Sequence, residues 1–262
     1  MQAENLKNQS SQILDLKQAN NDALVDALNK AYLKILSSSE VFAKICESKS
    51  QSLSGLFLPG MRGVFDSNKN TIMVIGREPR GWGVNFEPQS CLSTYIKNQT
   101  SKASGHLNKK SKSLKNERGS SFHNFIGKFP DSLNLVWGNL YCYSWNKNSV
   151  VKSPLAEDIR VLSSILLREQ IEIIRPEYII FSHGVDIDSI ALRREIFPLA
   201  MCETQELPYF DGILNKQLWA FESQWGIQKN KIQCFRIQHP SSFSKLARRA
   251  RKKLIDFFVE NH

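Results

Sequence analysis

Four short apolar runs, TIMVIG (71–76), LNLVWGNL (133–140), EYIIFS (177–182) and KIQCFRI (231–237), constrain this chain more than any other feature. They are apolar without alternation, the pattern of strands covered on both faces, and the stretches between them are long enough for crossover helices. The pattern predicts an α/β fold, a three-layer αβα sandwich around a central parallel sheet. The clearest crossover helix follows Ser153-Pro154, with serine as N-cap and proline in the first turn, and runs through Ile159, Leu162 and Leu166 until Pro176 stops it. Upstream, Leu14, Leu24, Leu28, Leu33 and Ile35 recur at helical spacing, and the polar stretch SKSQSLSG follows them. Residues 1–55 are therefore read as an N-terminal helical appendage and residues 56–262 as the α/β domain.

A chain of 262 residues can bury a core of this kind. The opening stretch MQAENLKNQSSQ has no signal-peptide pattern, and no apolar run approaches the ~20 residues of a membrane span. A cytoplasmic monomer with no membrane partner is expected. The cysteines at 46, 91, 142, 202 and 234 are scattered without a CxxC pair, so no metal, iron–sulfur cluster or other cofactor is expected and the thiols are read as reduced.

The net charge of +10 is concentrated in two places. Lys97 to Arg118 holds seven Lys/Arg and one Glu, and Lys245 to Lys253 holds six Lys/Arg and no acid, so the rest of the chain is slightly acidic. Localised positive charge is the footprint of a polyanion-binding surface, with nucleic acid the first candidate. Lysine-rich solvated faces are the plainer explanation. Because the segment NQTSKASGHLNKKSKSLKNERGSS has almost nothing to bury, residues 98–121 are expected to form a basic, mobile loop.

In an open parallel sheet, ligands bind beyond the carboxyl ends of the strands. Glu78 follows the first run, Asn139 closes the second and His239 follows the last. A carboxylate, an amide and an imidazole thus converge from three strands on one crevice, which is a site hypothesis. Each also has a simpler role open to it: Glu78 pairing with Arg77 or Arg80, Asn139 capping a turn, His239 satisfied in a loop before Pro240.

The stretch GREPRGWG (76–83) resembles the first motif of the uracil-DNA glycosylase superfamily, a strand followed by Gly-x-(Asp/Asn)-Pro, and QHPSSFS (238–244) resembles its His-Pro-Ser motif. Between them, NLVWGNLYCYSWNK, SPLAEDIRVL and RPEYIIFSHG resemble the superfamily's base-recognition strand, next helix and next strand. The resemblance spans roughly residues 70–258 and implies a DNA N-glycosylase that flips out a base and hydrolyses its bond to the sugar. It places Glu78 where a water-orienting acid stands, Asn139 where an amide reads the base and His239 where an imidazole faces the pyrimidine carbonyl. Ser241 and Ser242 match residues that grip DNA phosphates. Trp82 and Phe86 are the candidates for the ring that stacks on the base.

The chemistry agrees with these placements, since breaking a base–sugar bond builds positive charge on the sugar and negative charge on the base. A carboxylate can stabilise the first, and an imidazole N–H the second. Flipping needs a wedge and backbone clamps. Phe243 or Leu246 suits the wedge, and Lys245, Arg248, Arg249, Arg251, Lys109 and Lys110 suit the clamps. Arg77 and Arg80 flank Glu78, and Arg80 stands where uracil-specific members of the family place a tyrosine that excludes groups on the pyrimidine C5. The resemblance then extends to anti-phage glycosylases acting on glucosylated or hydroxymethylated cytosine, with Arg80 as partner to the polar substituent. Uracil repair and a non-catalytic nucleic-acid-binding module are the two competing readings.

Overall fold

A computed structural model describes residues 21–48, 52–83, 85, 87, 90–112, 121–226 and 230–262. In chain order the main elements are α1 (Asn21–Ser38), α2 (Glu40–Glu47), β1 (Gly60–Met61), β2 (Thr71–Gly76), α3 (Leu92–Lys112), α4 (Ser121–Ile126) and β3 (Asn134–Asn139). They continue with α5 (Ala156–Ile174), β4 (Tyr178–Phe181), α6 (Ile187–Ile196), β5 (Cys202–Thr204), β6 (Leu218–Trp225), β7 (Asn230–Ile237) and α7 (Lys245–Asn261). The seven strands form one mixed sheet in the order β1-β3-β2-β4-β7-β6-β5.

The four apolar runs are the four central strands, and neighbours among them are all parallel. The sheet is thus parallel at its centre, as expected, and antiparallel at its edges, where β1 pairs with β3, and β6 and β5 continue beyond β7. Of the central strands, β2 and β3 are buried along their whole length. Successive residues of β2 feed opposite faces: Met73 and Ile75 join one apolar cluster, Ile72 and Val74 the other. The first cluster takes helical side chains from α1, α2, α3, α5 and α6, including Leu28, Tyr32, Ile45, Ile96, Leu162 and Leu192. The second takes Phe125 from α4 and Ala250, Leu254 and Phe258 from α7. The described part of the N-terminal segment thus shares a core with the sheet, while Leu14 lies outside the described residues.

Two boundaries differ from the sequence reading. Helix α5 begins at Ala156, two residues after Pro154; the Ser153 hydroxyl oxygen accepts from the Leu155 N–H at 3.1 Å, which closes a turn ahead of the helix instead of capping it. The larger correction concerns residues 98–112, which continue α3 and are not a loop. Ile96, Thr100, Ala103 and Leu107 recur at helical spacing and are buried, so the segment does have an inward face. Between Ile96 and Leu107 that face is made of small and polar groups, and Ala103 packs so closely on β1 that a side chain at Gly60 would strike its backbone. Residues 113–120, the rest of that expectation, lie outside the described residues.

Candidate active site

The carboxyl ends of β2, β3 and β7 open on a cavity of about 530 Å3, and Glu78, Asn139 and His239 all line it. Its size is that of a small-molecule site. The convergence expected from three separate strand ends is therefore present in the fold. Asn139 reaches its place because Gly76 stands opposite it in the β2–β3 register: a Cβ at Gly76 would collide with the Asn139 Oδ1 and crowd the Phe122 ring. The absent side chain is what lets an amide and an aromatic ring sit together over the strand end.

Glu78 is buried, its side chain only 2 % exposed, and both flanking arginines turn onto it. Arg77 Nε lies 2.8 Å from Oε2, and Arg80 Nε donates to Oε1 at 3.3 Å. Burial raises the carboxyl's pKa above its ordinary value, and the two guanidiniums oppose that rise without cancelling it. Arg77 also comes within 4.0 Å of Asp186, the N-cap of α6, so it stands between two carboxylates. Arg80 is largely solvent-exposed on its far side.

His239 has a defined tautomer. Its Nδ1 accepts the backbone N–H of Ser241 at 3.2 Å and lies 2.6 Å from the Ser241 hydroxyl. Nδ1 is thereby the acceptor, and the ring proton of the neutral form sits on Nε2. Burial, then the positive field of Arg80, Arg77 and Arg251, pulls the pKa down to about 4, so the ring is neutral at pH 7. It is a donor without charge. The loop carrying it is held from α7, where Arg251 donates to the carbonyl oxygens of His239 and Ser242 at 3.4 and 2.9 Å.

Asn139 is 8 % exposed, and its Nδ2 has no hydrogen-bond partner among the described residues. Two residues back on the same face of β3, the indole N–H of the buried Trp137 is likewise unpartnered. Two desolvated donors lining one cavity are groups that a ligand with oxygen acceptors would satisfy. Trp82, a candidate stacking ring, is a wall of this cavity instead of a free platform: it is buried, its Nε1 donates to Gln99 Oε1 at 2.9 Å, and it packs edge-on to Phe57 and Trp137. Phe86 lies outside the described residues.

Sequence reasoning missed Phe122, His123, His106, Lys102 and Trp137, which complete the lining. Phe122 and His123 open α4, and Lys102 and His106 project from α3, whose helical nature was not recognised. His106 and His123 stack edge-on with centroids 4.7 Å apart, and each ring also contacts Trp137. The signal that was available is SFHNF, an aromatic helix start just before the buried β3 run.

The remaining candidates lie around the mouth. Ser241 lines the cavity. Ser242 donates its N–H to the His239 carbonyl at 2.8 Å. Phe243 is 85 % exposed and Leu246 48 %, both beside the His239 loop. Lys245, Arg248 and Arg249 are exposed on α7, whose opposite face buries Ala247, Ala250, Leu254 and Phe258. Lys109 is exposed on α3, and Lys110 follows it on the same helix. No described helix is long and apolar enough to cross a membrane, and among the described residues no cluster of three or more His, Cys, Asp or Glu is placed to hold a metal ion. Comparison with models of known protein families and with curated protein sequences gives no match.

Proposed function

We propose that this protein is a DNA N-glycosylase that extrudes a pyrimidine, hydrolyses its bond to the deoxyribose and leaves an abasic site. The observation that carries this reading is the meeting of a buried carboxylate (Glu78), a neutral imidazole with its proton on Nε2 (His239) and an unpartnered amide (Asn139) in one cavity. In this reading the three-layer αβα sandwich, a member of the uracil-DNA glycosylase superfamily, presents its strand ends to DNA. Asn139 hydrogen-bonds the base edge, with Phe122 beside it as the aromatic face. As the C1′–N bond breaks, its electron pair leaves with the base, and His239 Nε2–H donates to the carbonyl oxygen where negative charge collects. Glu78 faces the positively charged sugar and orients the water whose oxygen bonds to C1′ while a proton of that water passes to the carboxylate; Arg77 and Arg80 oppose the rise in pKa that burial gives this group.

Besides Asn139, the cavity is lined by Trp137, His106, His123 and the exposed Lys102, and its volume of about 530 Å3 leaves room for more than a bare pyrimidine ring. That compartment supports a cytosine carrying a hydroxymethyl or glucosyl substituent, with the donors of Trp137 and Lys102 taking its oxygens. Since Arg77 and Arg80 are both engaged with Glu78, they are less suited to that role than the sequence suggested. Incubation with oligonucleotides carrying uracil, 5-hydroxymethylcytosine or its glucosylated form, followed by alkaline cleavage and electrophoresis, tests the reading. Strand breaks at the substituted cytosine are expected. Breaks at uracil alone would return the protein to uracil repair, and binding without breaks on any of the three would make it a non-catalytic DNA-binding module.

A further inference from the structure

On the far side of the His239 loop lies a second cleft, of about 500 Å3, lined by Ser121, Phe125, Lys128, Pro240, Arg248 and Ile255 among others. It adjoins the candidate active site, since Ser121 lines both and Pro240 directly follows His239. Its floor is apolar: Phe125 is 5 % and Ile255 9 % exposed, with Pro240 between the two sites. Its rim is cationic. Lys128 and Arg248 are exposed there, and the one carboxylate on the rim, Asp256, is neutralised by Lys252 at 2.7 Å. Arg251 also lines the cleft, but its guanidinium holds the loop carbonyls.

We infer that this cleft receives the base of the nucleotide adjoining the one excised, with its phosphate on Lys128 and Arg248. The inference rests on the glycosylase reading of the neighbouring site. A flat apolar floor with cations at its edge matches an unstacked nucleobase attached to its phosphate, and matches neither a bare anion nor an apolar peptide. The position also fits, since the consecutive residues His239 and Pro240 line one cleft each and adjacent nucleotides of one strand must be splayed over them. In a duplex the neighbouring base is paired and stacked and cannot enter. The natural substrate is therefore single-stranded or locally unpaired DNA.

The test uses 15-nucleotide single strands with the excised base at the centre and either a normal nucleotide or a tetrahydrofuran abasic analogue at each adjoining position. Removing the neighbouring base on one side lowers affinity and kcat/KM about tenfold or more, the effect of one lost stacked base. Asn124 also lines the cleft; in Asn124→Trp, whose ring fills it, that difference disappears while the protein keeps its fold by circular dichroism. The single strand is also bound more tightly than the same sequence in a duplex. Excision that is indifferent to the neighbouring base on both sides, or that prefers the duplex, overturns the inference while leaving the glycosylase reading intact. No excision of any base in either form of DNA overturns the glycosylase reading itself.

Discussion

The backbone N–H of Ser241 is directed at Nδ1 of His239, 3.2 Å away, and this contact decides which ring nitrogen carries the proton. With burial and three nearby arginines holding the pKa near 4, the imidazole is a neutral Nε2–H donor throughout the physiological range. On the glycosylase reading, the hydrogen bond from this donor strengthens as negative charge develops on the base, so its contribution is largest in the transition state. His239→Ala is expected to lower the single-turnover rate of base release on the order of 10²-fold, the effect of removing one oxyanion donor, with little change in DNA affinity. A loss below about threefold would take His239 out of the mechanism.

Glu78 has a different signature. Its carboxyl is nearly inaccessible, and its pKa is raised by burial against the pull of Arg77 and Arg80. On the glycosylase reading the working form is the carboxylate. Activity therefore falls as pH drops through the raised pKa of Glu78, and this acid limb lies at higher pH than an ordinary carboxylate would give. Glu78→Gln keeps the shape but not the charge; base release is expected to be abolished at every pH, with the complex still forming in a gel-shift assay. Excision at the parent rate would reduce Glu78 to an ion-pair partner of its two arginines.

Basic residues on α7 divide into two kinds. Arg248 and Arg249 are exposed, whereas Arg251 is half-buried and spends its guanidinium on the His239 and Ser242 carbonyls. Replacing Arg248 and Arg249 with alanine should weaken DNA binding and flatten its salt dependence by roughly one unit of slope per lost contact, without changing which base is removed. Arg251→Ala should chiefly lower the rate of base release, because it loosens the loop that sets the His239 position. A large change of salt slope in Arg251→Ala with an unchanged single-turnover rate would reverse this assignment.

The strands and the residues that converge at their ends were readable because both rest on strong local signals. TIMVIG and LNLVWGNL are apolar without interruption, and Glu78, Asn139 and His239 each stand at the point where such a run stops. Helix α3 was hidden because its buried face uses Gln99, Thr100 and Ala103, which carry no hydrophobic periodicity. With α3 misread, Lys102 and His106 had no reason to face the site. Edge strands β1 and β5, two and three residues long, are too short to leave a pattern. Phe122 was missed for a third reason: nothing in SFHNF signals that Gly76, more than forty positions earlier, clears the space for its ring.

The last prediction concerns acid stability and a residue that no motif singled out. His183, just beyond β4, is 2 % exposed, and neither ring nitrogen has a hydrogen-bond partner among the described residues. Burial, with further repulsion from Arg193, Arg236 and Arg77 that Asp186 only partly offsets, lowers its pKa to about 3. The native state therefore keeps His183 neutral down to that pH, while the unfolded chain protonates it below about 6.5. Protons bound only by the unfolded state favour unfolding, so the stability present above pH 6.5 is lost as pH falls toward 3. His239 acts in the same direction, and Glu78, with its raised pKa, acts against both. The slope approaches roughly 1.4 kcal/mol per pH unit for each histidine, so His183 alone accounts for about 2 kcal/mol between pH 7 and pH 5. His183→Leu, uncharged at every pH, should flatten the curve by that amount in urea titrations at the two pH values. An unchanged difference between pH 7 and pH 5 in this variant would show that His183 finds a proton acceptor in the native protein and is not the source of its acid sensitivity.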